Sequence, residues 1–142
     1  MFTVSNEQLQ LLDAAGAARQ DAHMRRVVGA ALADLLPEVE LQQRQPQLAE
    51  LIELGCERAA QLGIEEQDDL AVVVALQLAR TLLPAEDQDR LRQWATAPLQ
   101  RPGSSGRVKV ALVELTLQRL AASQPLAQRL AAMVAQIRAA HA

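Results

Sequence analysis

Aromatic side chains are almost missing from this chain: Phe2 and Trp94 are the only two, and there is no tyrosine. That removes the stacking platforms on which single-stranded nucleic acid is held. It also leaves Ala, Leu and Val to supply nearly all of a composition that is 50% hydrophobic, which suits closely packed helices. Cys56 is the single cysteine, so an intramolecular disulfide and a cysteine-rich zinc site are both excluded and a reducing compartment fits. His23 and His141 are the only imidazoles, far apart and in no paired motif, so no metal centre and no nucleophile–base arrangement is expected. The N-terminus, Met1 to Glu7, has neither a basic start nor an apolar run of the secretory kind. The longest apolar tract, Leu70 to Leu83, is broken by Gln77, Arg80 and Thr81 and falls short of the roughly 20 residues that span a bilayer. A cytoplasmic protein with no cofactor is the expectation.

A length of 142 residues suits one domain, able to bury roughly two-thirds of the surface that its unfolded form exposes. Ser5 followed by Gln8 signals a capping box, and Leu9, Leu12, Met24, Val28, Leu32 and Leu35 recur at helical spacing up to Pro37. A Gln- and Glu-rich connection over 37–46 follows. Leu48, Leu51, Ile52, Gly55, Ala59 and Leu62 then form the stripe of a second helix. Gly63 closes that helix in the left-handed conformation, with Ile64 folding back onto the preceding turn.

Glu65, Glu66, Asp68 and Asp69 lie at the positive end of the next helix, which starts near Glu65 or Glu66. From Leu70 it reads LAVVVALQLARTLL, apolar on nearly every side, the pattern of a central helix surrounded by others. Pro84 ends it or opens a fourth helix, which carries Trp94 and stops before Pro98. Residues 98–106, PLQRPGSSG, read as a linker. A fifth helix and, around Pro125, a kink or a sixth complete the chain, with Ser123 a candidate cap. The expected fold is an all-α, single-domain bundle of five or six helices with a central apolar helix at about 66–83.

Charge divides the chain unevenly. Residues 1–97 hold 8 Arg and 16 Asp or Glu, whereas residues 98–142 hold 6 Lys or Arg and Glu114 alone. An acidic four-helix part (1–97), the linker (98–106) and basic C-terminal helices (107–142) result. Those helices dock either on the same molecule or on a second copy. Either charged surface suits an oppositely charged partner. Glu65, Glu66, Asp68 and Asp69 on one side, and Arg101, Arg107 and Lys109 on the other, are the candidate partner-binding residues.

The four acids lack the glycine-bearing loop of a calcium site, and helix punctuation accounts for them. Gly103-Ser104-Ser105-Gly106 lacks the lysine and strand of a phosphate loop. Arg58 to Ile64 followed by a helix has the spacing of a helix-turn-helix, yet the end that would enter the DNA groove carries four carboxylates.

The middle of the chain resembles a family of small helical bacterial proteins encoded among type VI secretion effector and adaptor genes. The likeness rests on Leu51-Ile52-Glu53-Leu54-Gly55-Cys56-Glu57-Arg58-Ala59, then Leu62-Gly63-Ile64, acids, and Asp69-Leu70-Ala71-x-x-Val74-Ala75-Leu76-Gln77-Leu78. A proline after the first helix, here Pro37, and a Trp-bearing segment after the apolar helix, here Trp94, extend it over most of residues 5–120. Arg80-Thr81-Leu82-Leu83-Pro84 departs from it, standing where family members tend to carry a Gly-Pro-rich acidic turn. The resemblance implies a non-enzymatic accessory or co-chaperone that binds an effector adaptor chaperone and assists effector loading. The residues themselves, with no aromatic anchor or stacking partner beside the basic C-terminal positions, give the expectation of no membrane or nucleic-acid partner. The alternatives read from the residues are an acidic immunity-type protein that neutralises a toxin, and a helix-turn-helix regulator.

Overall fold

The computed structural model describes residues 22–35 and 45–141, with 45–48 described by their backbone alone. Among these residues every regular element is an α-helix and none is a strand. Helix α1 occupies 22–35, α2 Gln45–Gln61, α3 Gln67–Leu82, α4 Ala85–Leu99, α5 Gly106–Leu120 and α6 Pro125–Ala140. The chain is an all-α bundle, as the periodicities predict. The Ser5 cap, the first part of the expected long helix and the connection after Leu35 lie outside the described residues.

Helix α3 is the centre. Ala71 to Leu76, Leu78 and Ala79 are all buried, and α3 packs against α2, α4, α5 and α6. An amphipathic helix needs one covered face, whereas this one is covered nearly all round, so its apolar residues have no polar side to alternate with. Met24, Val28, Ala31, Leu32 and Leu35 of α1 enter the same core. His23 sits beside His141 and the Arg129 guanidinium donates to the Leu35 carbonyl, so α1 runs antiparallel to α6.

The α2–α3 turn forms as its residues dictate. Gly63 has φ +79°, its N–H donates to the Ala60 carbonyl at 3.0 Å, and that of Ile64 to the Ala59 carbonyl at 3.1 Å. These are the paired bonds of a Schellman closure, and buried Ile64 and Ala59 supply its apolar contact. Glu66 is the N-cap of α3 but makes no side-chain cap bond.

Three boundaries differ from expectation. Helix α4 continues through Pro98 to Leu99, since a proline in the last turn forfeits only one intrahelical bond and the Gln100 N–H still reaches the Thr96 carbonyl at 3.0 Å. The expected linker over 98–106 is therefore a short connection, and its last residues are structured. Ser105 caps α5 by accepting from the Val108 N–H at 3.3 Å, and Gly106 is a buried helical residue. Gln124, not Ser123, is the N-cap of α6, with Pro125 opening the helix where a missing N–H costs nothing.

The basic C-terminal helices dock in cis on the acidic part. Helix α5 packs on α3 and α4, and α6 on α3 and α5.

Candidate functional site

Two places in this bundle concentrate polar chemistry. The first is the α2–α3 turn, which is a structural junction. Gly106 packs so closely on it that a Cβ there would lie 2.3 Å from the Gly63 carbonyl oxygen and 2.7 Å from Ile64 Cα. Lys109, from the next turn of α5, donates through Nζ to the Leu62 carbonyl at 3.0 Å, satisfying a carbonyl that α2 leaves open at its end.

On the other side of the turn Arg138 of α6 faces three carboxylates. Its Nη1 bonds Asp68 Oδ2 at 2.6 Å, its Nε bonds Glu114 Oε1 at 2.7 Å, and its Nη2 lies 2.7 Å from Asp69 Oδ1. Asp69 is only 1% exposed, and neither of its oxygens receives a well-directed hydrogen bond. Its attachment to Arg138 is thus chiefly charge attraction at short range. Burial alone would raise the Asp68 carboxyl, but the Asp69 backbone N–H and the Arg138 guanidinium outweigh it and hold Asp68 below its ordinary pKa. Burial likewise opposes the charge on Arg138, yet contact with Asp69 and Glu114 keeps its pKa above the usual arginine value.

The seven candidate partner-binding residues therefore part company. Glu65 and Glu66 are exposed, as are Arg101 and Arg107. Asp69 is buried, Asp68 is tied to Arg138, and Lys109 is half-buried on Leu62. For Asp69 the expectation of a surface position is corrected: α6 lies over that carboxylate, and its charge is met inside the fold. Helix punctuation also describes only part of these acids, because Asp68 and Asp69 are fastened to α6. The imidazoles that the sequence keeps apart meet edge to face, with ring centroids 5.1 Å apart, because α1 and α6 are antiparallel neighbours.

The second place is a cleft of about 570 Å³ between α2, α3 and α4. Buried Val73, Leu76 and Leu91 form its floor. Arg58 from the last turn of α2, Arg80 from α3 and Arg92 from α4 rim it, and no carboxylate among the described residues lines it. Gln77, half-buried in the same cleft, turns Oε1 toward Gly55 of α2, and that oxygen has no hydrogen-bond partner among the described residues. The sequence held one usable signal for this site: Arg80 is the only charge in α3 beyond its first turn, so the helix must reach solvent there. No protein-family model, curated protein or solved structure matches this chain.

Proposed function

We propose that this protein is a non-enzymatic protein-binding module whose working surface is the cleft between α2, α3 and α4. The observation that supports the reading is the lining of that cleft, three guanidiniums over an apolar floor with no carboxylate among the described residues, in a part of the chain where acids outnumber arginines two to one. Apolar contact supplies affinity in such grooves, and charge sets orientation and rate. In its sharper form, resting on the resemblance to type VI secretion accessory proteins, the partner is an effector adaptor chaperone in the cytoplasm and the role is effector loading. Co-expression with each product of the adjacent genes, followed by size-exclusion chromatography, tests this. Failure to co-elute with any of them would sink the type VI reading.

One observation favours the toxin-neutralising alternative: Glu50, Glu53 and Glu57 form an exposed acidic ridge on α2 beside Leu54, itself 42% exposed. Co-elution with a single basic toxin, abolished by Glu53→Lys and Glu57→Lys, would replace the loading role with that one. The helix-turn-helix use has no such support, because α3, which would have to enter a DNA groove, is buried on almost every face.

A further inference from the structure

We infer that the cleft receives one amphipathic helix of an acidic protein partner, about three turns long, whose carboxylates meet Arg58, Arg80 and Arg92. The inference rests on the protein-binding reading and adds the chemistry and shape of the occupant.

Shape comes from α4. Gln88, Leu91, Arg92, Ala95, Thr96 and Leu99 all face the cleft and recur at steps of three and four, so a single helical face forms one wall. Eleven residue steps at 1.5 Å each make that wall about 16 Å long, or three turns. The opposite wall is only the last turn of α2, so the site is a trough open along one side. A helix laid in a groove has those dimensions. Leu62, Ala95 and Leu99 are half-buried along the trough and offer apolar contact above the floor.

Charge decides the chemistry of the occupant. Three other donors in the trough are already engaged. The Thr81 hydroxyl donates to the Gln77 carbonyl at 3.1 Å and that of Thr96 to the Arg92 carbonyl at 2.6 Å. The Gln88 amide donates to the Leu83 and Thr81 carbonyls at 2.7 and 3.2 Å, closing the end of α3.

The guanidiniums are in a different state. Neither Arg58 nor Arg80 has an ion-pair partner among the described residues, and Arg92 has only the water-exposed Asp89 at 3.3 Å. An exposed pair of that kind is exchanged at little cost. Three cations on three helices, with no carboxylate among the described residues of the lining, favour an occupant that brings negative charge at more than one point. Carboxylates one and two turns apart on one face of a helix supply charge at several points along such a wall.

A displayed library of helical peptides of about 18 residues, selected on the full chain, tests the inference, with binding of the selected peptides measured by fluorescence anisotropy. Selected sequences should carry Asp or Glu at spacings of three, four and seven beside Leu or Ile. Arg80→Glu and Arg58→Glu should each weaken binding about fivefold to tenfold at low salt, while Arg119→Glu, on the exposed face of α5, leaves it unchanged. Circular dichroism verifies that each variant is folded.

Winners without acidic residues, binding unmoved by both reversals, or no winner at all would overturn it. So would complete displacement by citrate, which would make the cleft a small-anion pocket. A gene-neighbour complex that survives the reversals refutes this inference alone. Acidic peptides that bind while no neighbour co-elutes refute the type VI reading alone.

Discussion

Replacing Arg138 with alanine withdraws the cation that holds Asp68, Asp69 and Glu114 together at the junction of α3, α5 and α6. The consequence is unequal for the three acids. Asp68 and Glu114 have side chains 28% and 21% exposed and can turn to water, whereas Asp69, at 1%, stays buried with its charge unmet. Removing one partner of a fully buried ion pair costs about 3–5 kcal/mol. Arg138 itself is 28% exposed, so solvent screening lowers the expected loss to about 2–4 kcal/mol. With a urea slope of about 2 kcal/mol/M, the unfolding midpoint should fall by about 1–2 M. Urea titration followed by circular dichroism at neutral pH reads this directly. Pairing Arg138→Met with Asp69→Asn removes both charges and should recover much of the loss, giving a coupling above about 1 kcal/mol. A loss below about 0.5 kcal/mol for Arg138→Ala, or simple additivity of the two substitutions, would show that the cluster does not fasten α6 to α3.

Asp68 carries the acid response: its folded pKa lies below the unfolded one, so its stabilisation is present above roughly pH 4 and is lost as pH falls through the folded value. Thermal melts between neutral pH and about pH 3 should show that decline, and Arg138→Met should flatten it. Gly106→Ala places a Cβ 2.3 Å from a backbone oxygen and should cost about 2–3 kcal/mol. Gly63→Ala meets nothing within 4 Å but must hold φ +79°, for about 1–2 kcal/mol; urea midpoints in the reverse order would contradict the docking of α5 on the turn. Ser105→Ala removes the cap of α5 and should cost about 1 kcal/mol, read by the same titration, whereas a neutral result would restore the linker description of that segment.

The local features of this fold were legible from residue order because their causes are local. Gly63 closes α2 through a backbone conformation that glycine adopts without strain, and the bonds involved span at most five residues. The nearly all-round apolar pattern of α3 placed it at the centre for an equally direct reason: a helix without a polar face is stable only when covered.

What the sequence left open was decided by distance. Glu66 and Asp69 are both acids at one helix start, yet one is exposed and the other buried, because Arg138 arrives from α6, seventy residues beyond Asp68. No local pattern encodes that meeting, nor the approach of Gly106 to Gly63 that turned an apparent linker into a docked helix start. The arginine cleft likewise exists only through the placement of three helices. Sequence by itself determined the helices, the glycine turn and the buried centre. Tertiary packing decided which charges are internal fastenings and which remain exposed, because a charge is met by neighbours that the chain brings together only on folding.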